Sequence, residues 1–369
     1  MRHRLKRFFS DYDPYLLLAL AFISLMGLVG VYSATYRGEP SPLFFKQLLY
    51  LLLGWSIIFL LSRINFRLIY DLAPAIYLLN LFLLLLVPFF GKTVYGAKRW
   101  LDLGPVSLQP SEFMKFSLLL FILYSLQHSR RLLSKETLIL VVSLLMACLI
   151  TYKQPDLGTT VIYLFIFVSL LFLKGARLIY FILSAVSFLI LSPLMWHLLK
   201  DYQKERLLAV IDPYGDYHGS GYQLIQSLIA VGSGGFSGKG FLQGTQSHLL
   251  FLPEKHTDFI FSVIAEEWGF VFSFLLISSL FLVFYRLVVY AIDMPVSSEK
   301  LFLGAFASLW LFQVFVNLLM TMGLAPVVGV PLPFVSYGGS AVLTFSLLLG
   351  CSMAIIREQR HRQIRFEYG

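Results

Sequence analysis

The stretch PYLLLALAFISLMGLVGVYSA, residues 14–34, is a continuous apolar run. A helix needs about 20 consecutive apolar residues to cross roughly 30 Å of hydrocarbon, and this run has that length. The composition extends the argument to all 369 residues, of which 58% are hydrophobic and only 13% are charged. The sequence therefore predicts a membrane protein rather than an ordinary soluble domain.

Similar apolar runs recur along the chain and predict about ten membrane spans. The predicted spans are 14–34, 43–62, 68–90, 110–127, 137–153, 158–174, 178–199, 259–285, 301–322 and 338–356. The runs are continuous rather than alternating in polarity, which argues against a barrel of strands. We predict an all-α polytopic membrane protein, a single integral membrane domain over residues 1–369, with one long polar loop at about 200–257 between spans seven and eight.

Basic segments predict the orientation of the chain in the membrane. They alternate with the spans as RHRLKR, Arg63 and Arg67, SRRLLSK, Lys174 and Arg177, Arg286, and REQRHRQIR. Because short basic loops face the cytoplasm, both termini are predicted to be cytoplasmic and the loop 200–257 extracytoplasmic. Anionic lipid then accounts for the net charge of +9 without nucleic acid as a partner. The first span is too long for a cleavable signal, so we expect it to be retained.

Several cations remain in the segments assigned to the outer side, where Lys and Arg should be scarce. They include Lys46, Lys98, Arg99, Lys115 and Lys153. A lysine at the end of a span can simply reach the headgroups, and this alternative stays open for each residue alone. Together they favour an anionic or phosphate-bearing ligand at the outer face.

Two outer motifs contain acidic residues beside these cations. In QPSEFMKF, Glu112 and Lys115 lie one helical turn apart at the start of the fourth span, so they share a face and can pair. That pair is either an acidic helix start with a headgroup-seeking lysine or a buried ion pair lining a cavity. In KQPDLGTT, Asp156 can cap the sixth span or line the same site. Trp100, beside Lys98 and Arg99, is also typical of an interfacial anchor.

The long loop contains the glycine-rich run GSGGFSGKG, residues 232–240. It does not fit a nucleotide-binding loop, because Lys239 is followed by Gly240 rather than Ser or Thr. Close backbone approach to a bulky ligand and plain flexibility both remain open. The preceding GYQLIQSLIAV predicts a short amphipathic helix lying on the membrane or on the bundle.

The segment FLPEKHTDFIFSVIAEEWG, residues 251–269, places Glu254, His256 and Asp258 at the start of the eighth span. On local sequence alone Asp258 is more typical of a helix cap, although a general base also needs a carboxylate held at a fixed point. Glu266 and Glu267 lie about 12–14 Å farther along the helix, and we expect them to pair with Lys or Arg of neighbouring spans or to take part in function. The irregular loop 322–341 is predicted to form one wall of the same site.

Six motifs then occur in the order of a known family. They are GAKRWLDLG, QPSEFMK, KQPDLGTT, GYQLIQSLIAVGSGGFSGKG, GTQSHLLFLPEKHTDFIFSVIAEEWG and LPFVSYGGS. Together they resemble the shape, elongation, division and sporulation (SEDS) family of bacterial peptidoglycan polymerases, over the whole chain. The motif around Asp258 resembles the elongation branch of the family more than the division branch.

The resemblance implies an inverting glycosyltransferase of the bacterial cytoplasmic membrane that polymerises lipid II into glycan strands on the extracytoplasmic side. It implies Asp258 as general base. The implied substrate-site residues are Lys46, Lys98, Arg99, Trp100, Glu112, Lys115, Lys153, Asp156, Lys239 and His256.

The same resemblance implies partners, and other functions stay open beside it. It implies a class B penicillin-binding protein as partner, in addition to lipid II and membrane lipids. It leaves room for a divalent cation, Mg²⁺ or Mn²⁺, to which the sequence assigns no ligands. The alternatives are a lipid II flippase, a division-specific polymerase of the same family, and a scaffold that only recruits the cross-linking enzyme.

Overall fold

The computed structural model of the protein describes residues 11–94, 97–102, 104, 107–128, 135–215, 219–248, 254–295 and 297–368. Part of the sequence used above to orient the chain, namely the basic stretch 1–9 and most of the basic loop 129–135, lies outside these residues. Residues 251–253 of the motif around Asp258 also lie outside them.

A helix lies at the position of each predicted span. In chain order the helices are α1 (Pro14–Thr35), α2 (Pro42–Leu61), α3 (Phe66–Asp71), α4 (Ala73–Phe90), α5 (Pro110–His128), α6 (Lys135–Lys153), α7 (Leu157–Leu173), α8 (Leu178–Leu198), α9 (Asp201–Ile211), α10 (Ser220–Ser233), α11 (Thr245–His248), α12 (Ile260–Ile292), α13 (Ser298–Thr321) and α14 (Gly339–Tyr368). The predicted third span consists of α3 and α4, and the long loop contains α9, α10 and α11.

The helix lengths agree with a membrane protein. Within the described ranges, seven helices are long and apolar enough to cross a membrane, namely α1, α2, α4, α6, α12, α13 and α14. Two further apolar helices, within α7 and α8, are shorter. The all-helical architecture is confirmed, and ten crossings, cytoplasmic termini and an extracytoplasmic loop stay predictions.

Local sequence explains where the first helices begin. The Asp13 carboxylate accepts hydrogen bonds from the backbone N–H groups of Tyr15 (2.9 Å) and Leu16 (3.3 Å), and Pro14 occupies the first turn. Ser41 caps α2 in the same way, again with a proline in the first turn. An oxygen-bearing cap followed by proline is a strong helix start, so these two boundaries fall where the sequence places them.

The bundle is built around α5, which is buried along most of its length. It packs against α4, α6, α7, α13 and α14, while α12 packs against α1 and α13, and α14 against α2. By contrast, every described side chain of α8 is exposed or half-buried. Polar residues on α5 are therefore surrounded by protein, and these include the carboxylate of Glu112 and the ammonium group of Lys115.

Three short strands between α4 and α5 were not predicted. The strands β1 (Gly91–Val94), β2 (Ala97–Asp102) and β3 (Ser107–Leu108) form an antiparallel sheet in the order β1-β2-β3. Their register places Lys92 opposite Trp100 and Leu101 opposite Leu108. The glycines and prolines around them indicated only irregular chain, and strands this short carry too few residues for a period to be read. The sheet gives Arg99 and Trp100 a fixed backbone.

Candidate active site

Asp258 lies two residues before α12, with a partly exposed side chain. Phe259 rather than Asp258 occupies the N-cap position of α12, so the interpretation of Asp258 as a helix cap is wrong. Its backbone carbonyl accepts a hydrogen bond from Asn317 Nδ2 at 2.9 Å, and the same amide donates to the Val330 carbonyl at 2.8 Å. Asn317 is fully buried, so the position of Asp258 is fixed against α13 and the irregular segment 322–338.

The surroundings of Asp258 change its acidity. Burial, with a smaller effect from the nearby Glu254 carboxylate, raises the pKa of Asp258 to about 7. Arg206 and Arg99 lower it, and Asp156 raises it further. A carboxyl group with this pKa is partly ionised at neutral pH and is basic enough to accept a proton from a hydroxyl group in a transition state.

His256 contacts the irregular segment 322–338. Its carbonyl accepts a hydrogen bond from the Tyr337 backbone N–H at 2.9 Å, and the two rings lie 5.7 Å apart. Burial lowers the pKa of His256 below its ordinary value, and the Glu254 carboxylate opposes this effect. The imidazole is therefore mainly neutral at neutral pH. The segment predicted as a wall of the site therefore contacts a residue two positions before Asp258, and its role as a wall stays a prediction.

Arg99 joins the small sheet to the turn between α6 and α7. Its guanidinium donates to the Gln154 carbonyl at 3.0 Å and to the Pro155 carbonyl. Asp156 follows directly and caps α7 by accepting the Thr159 N–H at 3.2 Å, as one of the two predicted alternatives states. Both Arg99 and Asp156 act electrostatically on Asp258, so the structure brings these three predicted residues together.

The predicted pair of Glu112 and Lys115 is present on α5. The Lys115 ammonium lies 2.7 Å and 2.8 Å from the two carboxylate oxygens of Glu112, and 3.3 Å from Gln313 Oε1. The Lys115 side chain is 0% exposed and that of Glu112 is 6% exposed. Gln313 Nε2 in turn donates to the Pro331 carbonyl at 3.1 Å. The pair is buried and connects to the irregular segment 322–338, which rules out the headgroup-seeking alternative for Lys115.

The other predicted cations have different surroundings. Lys46, Lys98 and Lys153 are exposed, and Trp100 is half-buried. The Lys239 ammonium lies 2.6 Å from Glu266 Oε1.

Glu266 and Glu267 are both buried on α12. The partner of Glu266 comes from the long loop rather than from a neighbouring span, and Glu267 accepts a hydrogen bond from the Ser33 hydroxyl of α1 at 2.5 Å. The prediction that both carboxylates pair with Lys or Arg of neighbouring spans is therefore wrong for Glu266, and for Glu267 the structure shows a hydroxyl donor on α1.

Sequence reasoning missed Asn317, Gln313 and Arg206. The first two lie four residues apart in the apolar run LWLFQVFVNLLM, and two amides on one face of an intramembrane helix are a signal that could have been read. Arg206 belongs to a charged helix of the long loop, and no local pattern distinguishes it from its neighbours.

The described residues do not form a metal site by themselves. Among them, no group of three or more His, Cys, Asp or Glu side chains is placed to hold a metal ion. Cys148 and Cys351 are free and buried, which is typical of packing residues.

Comparison with known proteins identifies the family. The family of cell cycle proteins named for FtsW, RodA and SpoVE matches residues 14–361. The chain belongs to this family.

Among curated relatives, the peptidoglycan glycosyltransferase MrdB of Escherichia coli K12 is 37% identical, with 93% of each chain covered. The probable peptidoglycan glycosyltransferase FtsW of Coxiella burnetii is 35% identical and covers 94% of this chain and 97% of its own.

A solved structure shares the fold. It is a peptidoglycan synthase complex that coordinates polymerization and crosslinking, and the matching chain is 36% identical. The TM-score is 0.78, with 95% of this chain and 99% of that chain covered. Family and helices together make the protein a multi-pass membrane protein.

Proposed function

We propose that the protein is a peptidoglycan glycosyltransferase that polymerises lipid II, with Asp258 as the general base. The observation that carries this proposal is Asp258, whose backbone is held beside α12 by Asn317 and whose carboxyl group has a pKa raised to about 7 with two arginines in its electrostatic surroundings. Family membership and relatives named as peptidoglycan glycosyltransferases support the reaction class.

The proposed reaction is a single displacement. The acceptor sugar hydroxyl attacks the anomeric carbon of the donor, and its proton passes to the Asp258 carboxylate. The bond from the anomeric carbon to the phosphate oxygen breaks, and undecaprenyl pyrophosphate leaves with the bonding electrons. Attack from the opposite face inverts the anomeric centre. One base and a cationic environment for the leaving group are sufficient for this step.

The cations have separate proposed roles. Arg99 has its charge near Asp258 and is suited to the departing pyrophosphate, while the exposed Lys46, Lys98 and Lys153 are proposed to attract the anionic lipid. The buried Lys115 is neutralised by Glu112 and is proposed to shape the site through its contact with Gln313.

The remaining predicted residues complete the proposed site. Trp100 offers an apolar face beside Arg99. Asp156 acts electrostatically on Asp258, and His256 lies two residues before it in the chain. Lys239 was predicted to contact the substrate as well.

The setting of the enzyme is proposed from the same sources. We place it in the bacterial cytoplasmic membrane, with ten spans, cytoplasmic termini and Asp258 on the extracytoplasmic side. A class B penicillin-binding protein is the proposed partner, supported by the related chain from a peptidoglycan synthase complex that coordinates polymerization and crosslinking. The motif wording around Asp258 favours elongation over division, although FtsW proteins are nearly as similar as MrdB.

A polymerisation assay in detergent separates the proposal from its alternatives. The purified protein, with its transpeptidase partner supplied, would be given lipid II, and glycan products would be separated by length for wild type and Asp258→Asn. We expect polymer from wild type only. A flippase or a scaffold makes no polymer in detergent, where no bilayer separates two compartments.

The choice between elongation and division needs a cellular test. Expression in rod-shaped bacteria depleted of either their elongation or their division polymerase would show which defect is corrected. Restored rod shape supports elongation, whereas restored septation supports the division alternative.

A further inference from the structure

The helix α12 is broken at Gly269. This residue has φ 69° and ψ −165°, which ends one helical segment after Trp268 and begins another. A Cβ at Gly269 would lie 2.2 Å from the backbone nitrogen of Gly238, so only glycine fits here. The motif EEWG therefore marks the end of a short half-helix, Ile260 to Trp268, that begins two residues after Asp258.

The glycine-rich loop fills this break. The Lys239 and Gly240 N–H groups donate to the carbonyls of Glu266 and Glu267 at 3.0 Å each. In return, the Phe270 N–H donates to the Gly235 carbonyl at 2.9 Å. The loop thereby satisfies backbone groups that the break exposes inside the helix bundle. The sequence leaves open close approach to a bulky ligand or plain flexibility for this loop, whereas the structure shows its backbone close to the protein's own helix.

One carboxylate fastens the loop to the half-helix. Glu266 Oε1 accepts hydrogen bonds from Lys239 Nζ at 2.6 Å, from the Thr245 hydroxyl at 3.0 Å and from the Gln246 N–H at 3.0 Å. Glu266 is 0% exposed. Its second oxygen, Oε2, has no hydrogen-bond partner among the described residues. We call Glu266, Lys239, Thr245 and Gln246 the Glu266 latch.

A latch of this kind is poorly explained by stability alone. Burying a carboxylate is costly, and a buried ion pair is often no more stabilising than apolar residues of the same size. What a buried pair does supply is a single geometry, because the alternative arrangements leave a charge unpaired.

Glu266 of the latch lies on the half-helix that follows the proposed base. Eight residues separate Asp258 from Glu266, which corresponds to about 12 Å along a helix. The other end of the half-helix is held by Asn317 at the Asp258 carbonyl and by Ser227, whose hydroxyl lies 2.7 Å from that of Ser262. A shift at the break would therefore be transmitted to Asp258 as a tilt or a translation of the half-helix.

We propose that the Glu266 latch positions the Asp258 carboxylate, with Glu266 and Lys239 as positioning residues for glycosyl transfer. This inference rests on the proposed function. It gives Lys239 a role within the protein instead of the predicted contact with the substrate.

The principal variant is Glu266→Gln, which keeps the size of the side chain and removes the charge that binds Lys239. The matched control is Asp13→Asn, because Asp13 forms a buried ion pair of the same length, 2.6 Å, with Arg286 on the other segment of α12. For both variants we would measure kcat and KM for lipid II polymerisation, thermal stability, and hydrogen exchange of the peptides 234–246 and 259–271.

Glu266→Gln is expected to lower kcat by about tenfold or more with KM within about twofold, because misplacing a catalytic group weakens the chemical step rather than binding. Hydrogen exchange should rise in both peptides. Asp13→Asn should leave kcat within about twofold even where it lowers thermal stability as much. Lys239→Arg should retain most of the activity, and Lys239→Met should resemble Glu266→Gln.

The proposal is overturned if Glu266→Gln has the wild-type kcat, or if Asp13→Asn with an equal loss of stability loses as much kcat. A rise in KM with unchanged kcat for Lys239→Met would instead return Lys239 to the substrate site and also contradict the latch. If Glu266→Gln does not fold, the variants Lys239→Met and Lys239→Arg test the latch by the same comparison of kcat and KM. Asp258→Asn in the same assay separates the two claims, because an active Asp258→Asn refutes the proposed base whatever the latch variants do.

Discussion

Replacing Lys115 by methionine should destabilise the protein severely. The ammonium of Lys115 contacts both carboxylate oxygens of Glu112 within 2.8 Å, and neither side chain is more than 6% exposed. Lys115→Met leaves the Glu112 carboxylate buried without a cation, and such a loss costs about 3–5 kcal/mol. Glu112→Gln combined with Lys115→Met removes both charges, so the double variant should be more stable than Lys115→Met alone.

An exposed pair on the same chain provides the control. Lys92 lies 3.3 Å from Asp102, and their side chains are 62% and 38% exposed. Lys92→Met should therefore cost less than about 1 kcal/mol. The free energy of unfolding would be measured for all variants in mixed micelles of a mild detergent and dodecyl sulfate. A Lys115→Met variant that costs no more than Lys92→Met, or a double variant less stable than Lys115→Met, would refute the penalty assigned to an unpaired, buried Glu112 carboxylate.

Three further predictions concern the site and its support. Asn317→Leu removes the hydrogen bonds to the Asp258 and Val330 carbonyls, so kcat should fall by about tenfold or more with little change in KM, and equal kcat in the variant would contradict the role given to this amide. Gly269→Ala should prevent folding because its Cβ would meet the Gly238 backbone, whereas Gly232→Ala, with no atom within 4 Å, should fold and elute as wild type in size-exclusion chromatography. Asp258→Asn should raise thermal stability at pH 8 but not at pH 4. A pKa raised from 3.8 to about 7 means that the folded protein binds the proton more tightly, so this contribution to stability is present below pH 4 and is lost as pH rises through 7. This pKa difference corresponds to about 4 kcal/mol at most. Equal melting temperatures of wild type and Asp258→Asn at pH 8 would show that the pKa of the carboxyl group is not raised.

The helices at the predicted spans could be predicted from the sequence because each of those spans is a long apolar run. Asp13 and Ser41 occupy N-cap positions before proline, and α1 and α2 begin there, at or within one residue of the predicted spans. The sequence also paired Glu112 with Lys115, since a spacing of three residues places two side chains on one helical face. These inferences depend on local geometry, which a sequence carries.

The parts that could not be predicted depend on contacts between distant segments. The break at Gly269 is stabilised by a loop about 30 residues earlier in the chain. A single glycine in an apolar run does not predict that a distant loop will bind there. Glu266 was assigned a partner on a neighbouring span for the same reason, because nothing local indicates that Lys239 folds back onto it. The cap interpretation of Asp258 failed by one residue, which is within the usual uncertainty of a helix boundary.

The role of Asp258 as general base is tested most directly by the pH dependence of lipid II polymerisation. Initial rates would be measured between about pH 5 and pH 9 for wild type and Asp258→Asn, each with the partner supplied and with folding checked at every pH. We expect a wild-type rate that rises with pH through an apparent pKa near 7, and an Asp258→Asn rate lower by about a hundredfold or more with that rise absent. A folded Asp258→Asn that polymerises lipid II at the wild-type rate, or whose rate still rises through pH 7, would show that Asp258 is not the general base.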